Sequence, residues 1–219
     1  MYESSPGQLT GLDIEFARAI TAISHCPITF TEIPFKRHLA ELKRGKIDLA
    51  TSTQYTRERA EYARYSIPYR TSRTSLIIRP GELDRFPFKT LDDLAQSNII
   101  LGITRGYFYG DKMKSIIENP QGSLNIEDVI SVDLNLLKLS AKRIDAFLAD
   151  PVVISNTAKA INMVNAFEIH PMPVYATTFH VIASKQAVSE ETFALINEAI
   201  QQLEDNGELE ALIARYMQE

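Results

Sequence analysis

Helical and strand spacings of apolar residues follow one another along this chain. Leu12, Phe16, Ala19, Ile20 and Ile23 recur at helical intervals after Gly11 and predict an amphipathic helix. Pro27 to Ile33 is rich in β-branched residues and predicts a strand. Phe35 opens a second helix with Leu39 and Leu42 on one face, closed by Gly45, and Ile47 to Thr51 predict a short strand. Leu76–Ile78, Asn98–Ile103, Asp128–Val132, Ile144–Ala149, Phe167–Val174 and Phe179–Ala183 predict further strands. The two prolines of the run 167–174 place it at a sheet edge. Between them lie helices with start signals: Thr90 with Asp93 three residues on, Asp111–Asn119, a helix capped by Asp133, Asp150–Pro151 before Val152–Ile161, and Ser189 before a face of Phe193, Ile196, Ile200 and Leu203. Asn206–Gly207 separates that helix from a last one over Glu208–Met217, and Pro6–Gly7 marks a turn near the start. Strands alternating with helices throughout predict an α/β fold.

The stretch Gly45–Tyr69, GKIDLATSTQYTRERAEYARYSIPY, concentrates polar chemistry. A strand ends, the chain turns through Ser52, Thr53, Gln54 and Tyr55, and Thr56 caps a new helix with Arg59 at its third position. Helix starts favour anions, and a guanidinium beside one adds a two-pronged carboxylate binder. Spacing alone favours a capped surface helix whose Arg59 pairs with Glu58 or Glu61. A second candidate is the loop after Ile103, Thr104-Arg105-Gly106-Tyr107-Phe108-Tyr109-Gly110, where a buried strand meets a glycine turn and three aromatics. A third is Asp150, which is either a helix cap alone or a cap with a second use for its carboxylate.

The ordered pieces G-K-I-D-L-A, T-x-x-R at Thr56–Arg59 and S-x-P-Y at Ser66–Tyr69 resemble the signature of family 3 bacterial extracellular solute-binding proteins of amino-acid-binding type. The helix G-L-D-I-E-F-A-R-A-I and the two closing helices split by N-G-E-L resemble the same family, so the likeness runs from Tyr2 to the end. It implies a two-lobed, type II periplasmic-binding-protein-like fold, each lobe a mainly parallel sheet flanked by helices. Residues 1–72 with 179–219 would form one lobe and 73–178 the inserted one, with crossings near 69–75 and 175–179. It also implies one more strand and loop before Tyr2. Arg59 would hold a ligand carboxylate, with Ser52, Thr53, Gln54, Thr56 and Tyr69 around it; Thr104, Arg105 and Gly106 would add contacts from the second loop. The second Asp of the family's D-A-x-x-x-D pattern falls on Asp150 and would take an ammonium, and Phe35 would pack on the ligand side chain where the local reading offers only a residue stapling a helix start.

Composition narrows the classes. Of 219 residues, 45% are hydrophobic and 23% charged, an ordinary globular balance. No run approaches the roughly 18 to 20 apolar residues of a membrane span. A net charge of −5 without a basic stripe argues against nucleic acid as partner. Cys26 is the single cysteine, which excludes an internal disulfide, and the four histidines are scattered, so neither metal nor cofactor is expected. Residues 1–7 lack the basic and apolar regions of a secretory leader, so a periplasmic location comes from the resemblance. The expected protein is a monomer that closes two lobes over an amino-acid-like carboxylate, serving membrane transporter subunits. The alternatives are a sensory ligand-binding module and a cyclohexadienyl-dehydratase-like enzyme. An enzyme needs an acid or base, and His38, His170 and His180 lie outside every motif.

Overall fold

In the computed structural model, residues 2–5, 8–119 and 121–217 are described; the turn expected at Pro6–Gly7 lies outside them. The chain divides into two compact units. Unit 1 takes Met1–Ile33, Arg37–Thr71 and Thr178–Glu219, and unit 2 takes Pro34–Lys36 and Ser72–Thr177.

Unit 1 begins with strands β1 (Tyr2–Ser5) and β2 (Gln8–Thr10), which pair antiparallel. Helix α1 (Leu12–Ile23) buries Leu12, Phe16 and Ile20 of the face its spacing predicts, with Ala19 and Ile23 partly buried, and buries Ile14 and Ala17 besides. Helix α2 (Phe35–Lys43), whose first two residues are assigned to unit 2, ends before Gly45, whose φ of +70° only glycine adopts without strain. Strand β3 (Leu49–Thr53), helix α3 (Arg57–Tyr62) and strand β4 (Ala63–Tyr65) follow. β3 and β4 flank the last part of the long strand β9 (Glu168–Ser184) on its two sides, both antiparallel to it, with Ile182 opposite Ala50 and Tyr65. Helices α8 (Glu190–Asp205) and α9 (Glu208–Met217) complete the unit. Phe16, Ile20, Val181, Phe193, Ile200 and Leu203 form its core, and fully burying one such side chain contributes about 1.5–3 kcal/mol.

In unit 2 the order of strands is β9, β5 (Arg70–Ile78), β8 (Ala146–Ala149), β6 (Ile100–Thr104) and β7 (Asn125–Val129). β6 runs parallel to β7 and β8, while β5 is antiparallel to β8. The first part of β9, with its prolines, stands at the end of this order. β5 and β8 alternate between two apolar layers: Leu76, Ile78, Ala146 and Leu148 face one core, Ile77, Phe147 and Ala149 the other. Burial on both faces is why these strands read as continuous apolar runs. Helices α4 (Leu91–Ala95), α5 (Asp111–Ile117), α6 (Val132–Ser140) and α7 (Pro151–Ala160) cover the sheet. Thr90 and Asp93 form the capping box that the sequence spells.

Several expectations are corrected. Pro27–Ile33 is not a strand: it has no sheet partner among the described residues and is mostly exposed, and β-branching stabilises a strand only against a neighbour. The strand expected at Asp128–Val132 is Asn125–Val129, because it pairs with Ile100–Thr104 in parallel register. Asp133 does not cap α6; Ser131 stands at the N-cap and Asp133 lies inside the first turn. The crossings expected near 69–75 and 175–179 take strand form as parts of β5 and β9, and the chain changes unit within them, after Thr71 and after Thr177. The sheets are mixed rather than mainly parallel, since unit 1 has antiparallel pairs at β3 and β4.

Gly102 in β6 shows how tightly unit 2 is packed. A Cβ there would stand 2.5 Å from Asn135 Oδ1, 2.8 Å from Ile144 Cδ1 and 2.9 Å from Phe147 Cβ. Gly102→Ala should therefore destabilise the protein by about 1–3 kcal/mol through overpacking. A urea midpoint unchanged from the parent would mean that α6 yields without cost.

Candidate functional site

In unit 1 the end of β3, the following turn and α3 bring together most of the polar residues singled out in the sequence. Thr56 is the N-cap of α3, and its Oγ1 accepts the Arg59 backbone N–H at 3.2 Å, as the T-x-x-R spacing requires. The helix is only six residues long, so few peptide dipoles align at the turn. Arg59 is 7% exposed, and its Nη1 donates to the Gln54 carbonyl at 2.9 Å. Burial pulls its pKa below the ordinary value, while Tyr65, Tyr62 and Glu58 oppose that shift. Spacing alone allowed a solvated surface arginine; the guanidinium is instead buried, with Glu58 among the charges acting on it.

Tyr65, whose importance for this turn the sequence did not reveal, ties it from the other side. Its Oη donates to the Gln54 carbonyl at 3.2 Å and accepts the Thr56 N–H at 3.3 Å. Burial raises its pKa, so it stays a neutral phenol that can do both. Gln54 is buried, and Thr53, fully buried, donates from Oγ1 to the Thr51 carbonyl.

Ser52 and Tyr69 have internal partners. The Ser52 N–H donates to Tyr69 Oη at 2.8 Å, and Ser52 Oγ donates to Asp13. Tyr69 Oη donates to Asp13 Oδ1 at 3.0 Å, and its ring stacks on Phe16 with centroids 4.0 Å apart. Burial, then the Asp13 charge, push the Tyr69 phenol far above its usual range. Asp13 is the residue sequence reasoning missed. Its place two residues after Gly11 was visible, but nothing local linked it to Ser52, 39 positions on.

Phe35, Thr104, Arg105, Gly106 and Asp150 belong to unit 2. Gly106 has φ +87°, and a Cβ on it would lie 3.0 Å from the Lys36 Cα, so glycine is required both by conformation and by the close backbone approach. That approach brings Tyr107 edge-on to Phe35, with centroids 5.3 Å apart. Thr104 is buried; its N–H donates to Tyr109 Oη at 2.8 Å and its Oγ1 accepts from Asn135 Nδ2 at 3.3 Å. Arg105 is held by Asp128 through a hydrogen bond and ion pair, which raises its pKa and lowers that of Asp128. Of the loop aromatics, Tyr109 is buried, Phe108 is edge-on to Tyr175, and Tyr107 is exposed.

Asp150 divides its two oxygens between a helix cap and a serine hydroxyl. Oδ1 accepts the Val152 and Val153 N–H groups at 2.8 and 3.4 Å, capping α7. Oδ2 points to a different partner, accepting from Ser72 Oγ at 2.8 Å. Among the described residues no group of three His, Cys, Asp or Glu side chains could hold a metal ion, and no helix is long and apolar enough to cross a membrane.

An α/β chain in two compact units, with a buried arginine at a capped turn in one and a capping aspartate in the other, has the build of a type II periplasmic-type binding protein. The profile of the bacterial extracellular solute-binding proteins, family 3, matches residues 1–219, and the chain belongs to that family. It is 22% identical over 213 residues to a probable histidine-binding protein of Neisseria gonorrhoeae, covering 97% of this chain and 76% of that one. Its fold is similar to that of an ancestral arginine-binding protein bound to arginine, with TM-score 0.83 and 20% identity over 99% of this chain and 92% of the other. It is also similar to an ancestral amino-acid-binding protein described as a precursor of cyclohexadienyl dehydratase, with TM-score 0.79 and 19% identity over 99% and 88% of the two chains.

Removing the Thr56 hydroxyl tests the turn itself. Thr56→Ala leaves the Arg59 N–H without its cap and should lower stability by about 1 kcal/mol. Chemical denaturation measures this; an unchanged midpoint would mean that Tyr65 alone holds the turn.

Proposed function

We propose that this protein is an extracytoplasmic solute-binding protein, located in the periplasm, that closes on an α-amino acid and delivers it to a membrane transporter. Arg59 takes the ligand carboxylate and Asp150 the ammonium. The observation that carries this reading is Arg59 itself: a nearly buried guanidinium, oriented by the Gln54 carbonyl at a turn braced by Thr56 and Tyr65. A planar guanidinium in a fixed orientation matches a carboxylate with two parallel hydrogen bonds, which an ammonium cannot reproduce. Family membership and a relative named for histidine binding favour an amino acid over other carboxylates. Gly106 and Thr104 would supply backbone and hydroxyl contacts, and Phe35 with Tyr107 an aromatic surface for the ligand side chain.

Binding without turnover is the expected chemistry. The His38 Nε2, His170 Nε2 and His180 Nδ1 atoms each lie 2.7–2.9 Å from a backbone carbonyl oxygen, which engages a ring nitrogen of each histidine. Burial also lowers the His38 pKa. Incubation with prephenate or arogenate, followed by absorbance, should give no product; dehydration at an enzymatic rate would replace the binding reading with the enzyme one.

Calorimetry against the twenty amino acids and cystine identifies the ligand. With that ligand, Arg59→Ala should weaken binding by about 2 kcal/mol or more, as for a central buried anchor. Arg59→Lys should recover only part of this. Asp150→Asn should keep stability within about a few tenths of a kcal/mol, because asparagine caps nearly as well as aspartate. It should weaken amino-acid binding by about 1.5–3 kcal/mol, the worth of a charge-assisted hydrogen bond. An Arg59→Ala variant that binds as the parent does would remove the carboxylate assignment, and an Asp150→Asn variant that does so would leave Asp150 a cap only.

A further inference from the structure

Ser52 lies within β3 yet has φ +48°, a left-handed conformation that is uncommon for a residue with a Cβ and strained within a strand. The register of β3 against β9 slips between Ala50 and Thr53, so Ser52 is the centre of a bulge. Beyond it the chain reaches Thr53 and then Gln54, whose carbonyl orients Arg59. A strained bulge persists only where its surroundings hold it. Here the holder is Asp13, in the first turn of α1. Its Oδ1 and Oδ2 accept from Ser52 Oγ at 2.7 and 2.9 Å. Its Oδ1 also accepts from Tyr69 Oη, which accepts the Ser52 N–H in turn. Both Ser52 donors are therefore engaged in one closed set of hydrogen bonds. Arg70, with its guanidinium 4.2 Å over the Phe179 ring, adds a donor to Ser52 Oγ at 3.3 Å.

We propose that Asp13 is a positioning residue for ligand recognition: through Ser52 and Tyr69 it fixes the β3 bulge, and thereby the direction in which Gln54 presents Arg59. The link from bulge to ligand rests on the proposed function; the link from Asp13 to the bulge does not. It also changes the role of Ser52, whose two donors brace the turn instead of contacting a ligand.

The test pairs Asp13→Ala with Ser52→Gly. Glycine takes φ +48° without strain, so the bulge no longer needs a holder. Asp13→Ala alone should weaken binding of the amino acid identified by calorimetry about tenfold, and the same change in the Ser52→Gly background about twofold or less, a coupling expected only between residues acting together. A merely stabilising Asp13 would lower the melting temperature and give equal losses of affinity in both backgrounds, which would overturn the proposal. A ligand-free readout separates it from the function reading. In Asp13→Ala the Ser52 Cα and Cβ chemical shifts should move towards extended values and its amide should exchange faster. Unchanged Ser52 shifts and exchange would also overturn it. If the parent binds no amino acid, the function reading fails while this comparison still decides the role of Asp13. Should Asp13→Ala not fold, Asp13→Asn, which keeps one acceptor oxygen and loses the other, carries the same readouts with smaller shifts.

Discussion

The Asp13 carboxylate, accepting from Ser52 and Tyr69, joins three segments of unit 1 that are far apart in the chain. Its surroundings make it strong. The Tyr69 ring is stacked on Phe16 inside the apolar core, so its hydroxyl has few alternatives to the partners it finds there. A hydrogen bond to an ionised acceptor contributes more than a neutral one, and breaking it in a buried place leaves a polar group unsatisfied. The core thus reaches the polar turn through one tyrosine, whose ring packs in the core and whose hydroxyl meets the end of β3.

Unit 2 positions its loop by backbone contact. Gly106 lets Lys36 approach to a distance at which a Cβ would be crowded, and Gly110 leaves no room for one beside the Tyr175 ring, 2.5 Å from where its Cβ would be. Behind the loop, Asn135 is fully buried and donates to Thr104, while its Oδ1 has no partner among the described residues. A buried amide with one unsatisfied oxygen is costly. It is kept where Gly102 leaves room for it, which ties the packing of β6 to the orientation of the loop that follows.

Most helices were legible because their signals are local. Thr56 with Arg59, Thr90 with Asp93, Asp150 with Pro151 and Ser189 each cap the helix their spacing announces. Strands were less legible, because a strand is defined by its neighbour. Pro27–Ile33 has the right residues and no sheet partner among the described residues, and Arg70–Ser75 looks like a loop yet continues β5. The candidate site divides in the same way. The arginine and its cap could be read from a four-residue motif. Tyr65 directly precedes the S-x-P-Y piece, but nothing local marked it as the brace of the turn. Asp13 could not be found at all, since its partner lies 39 residues away and only the folded β3 brings them together.

The hydrogen bond from Arg59 Nη1 to the Gln54 carbonyl has a thermodynamic consequence. A free arginine side chain carries about 2 kcal/mol of rotamer entropy, and a binding site that leaves its arginine loose gives this up each time a ligand arrives. In this chain the restriction is imposed when the turn folds, by an acceptor belonging to the same turn. The ordering cost of that side chain therefore falls on folding stability, and under the proposed function association with a carboxylate would begin from a guanidinium already aligned.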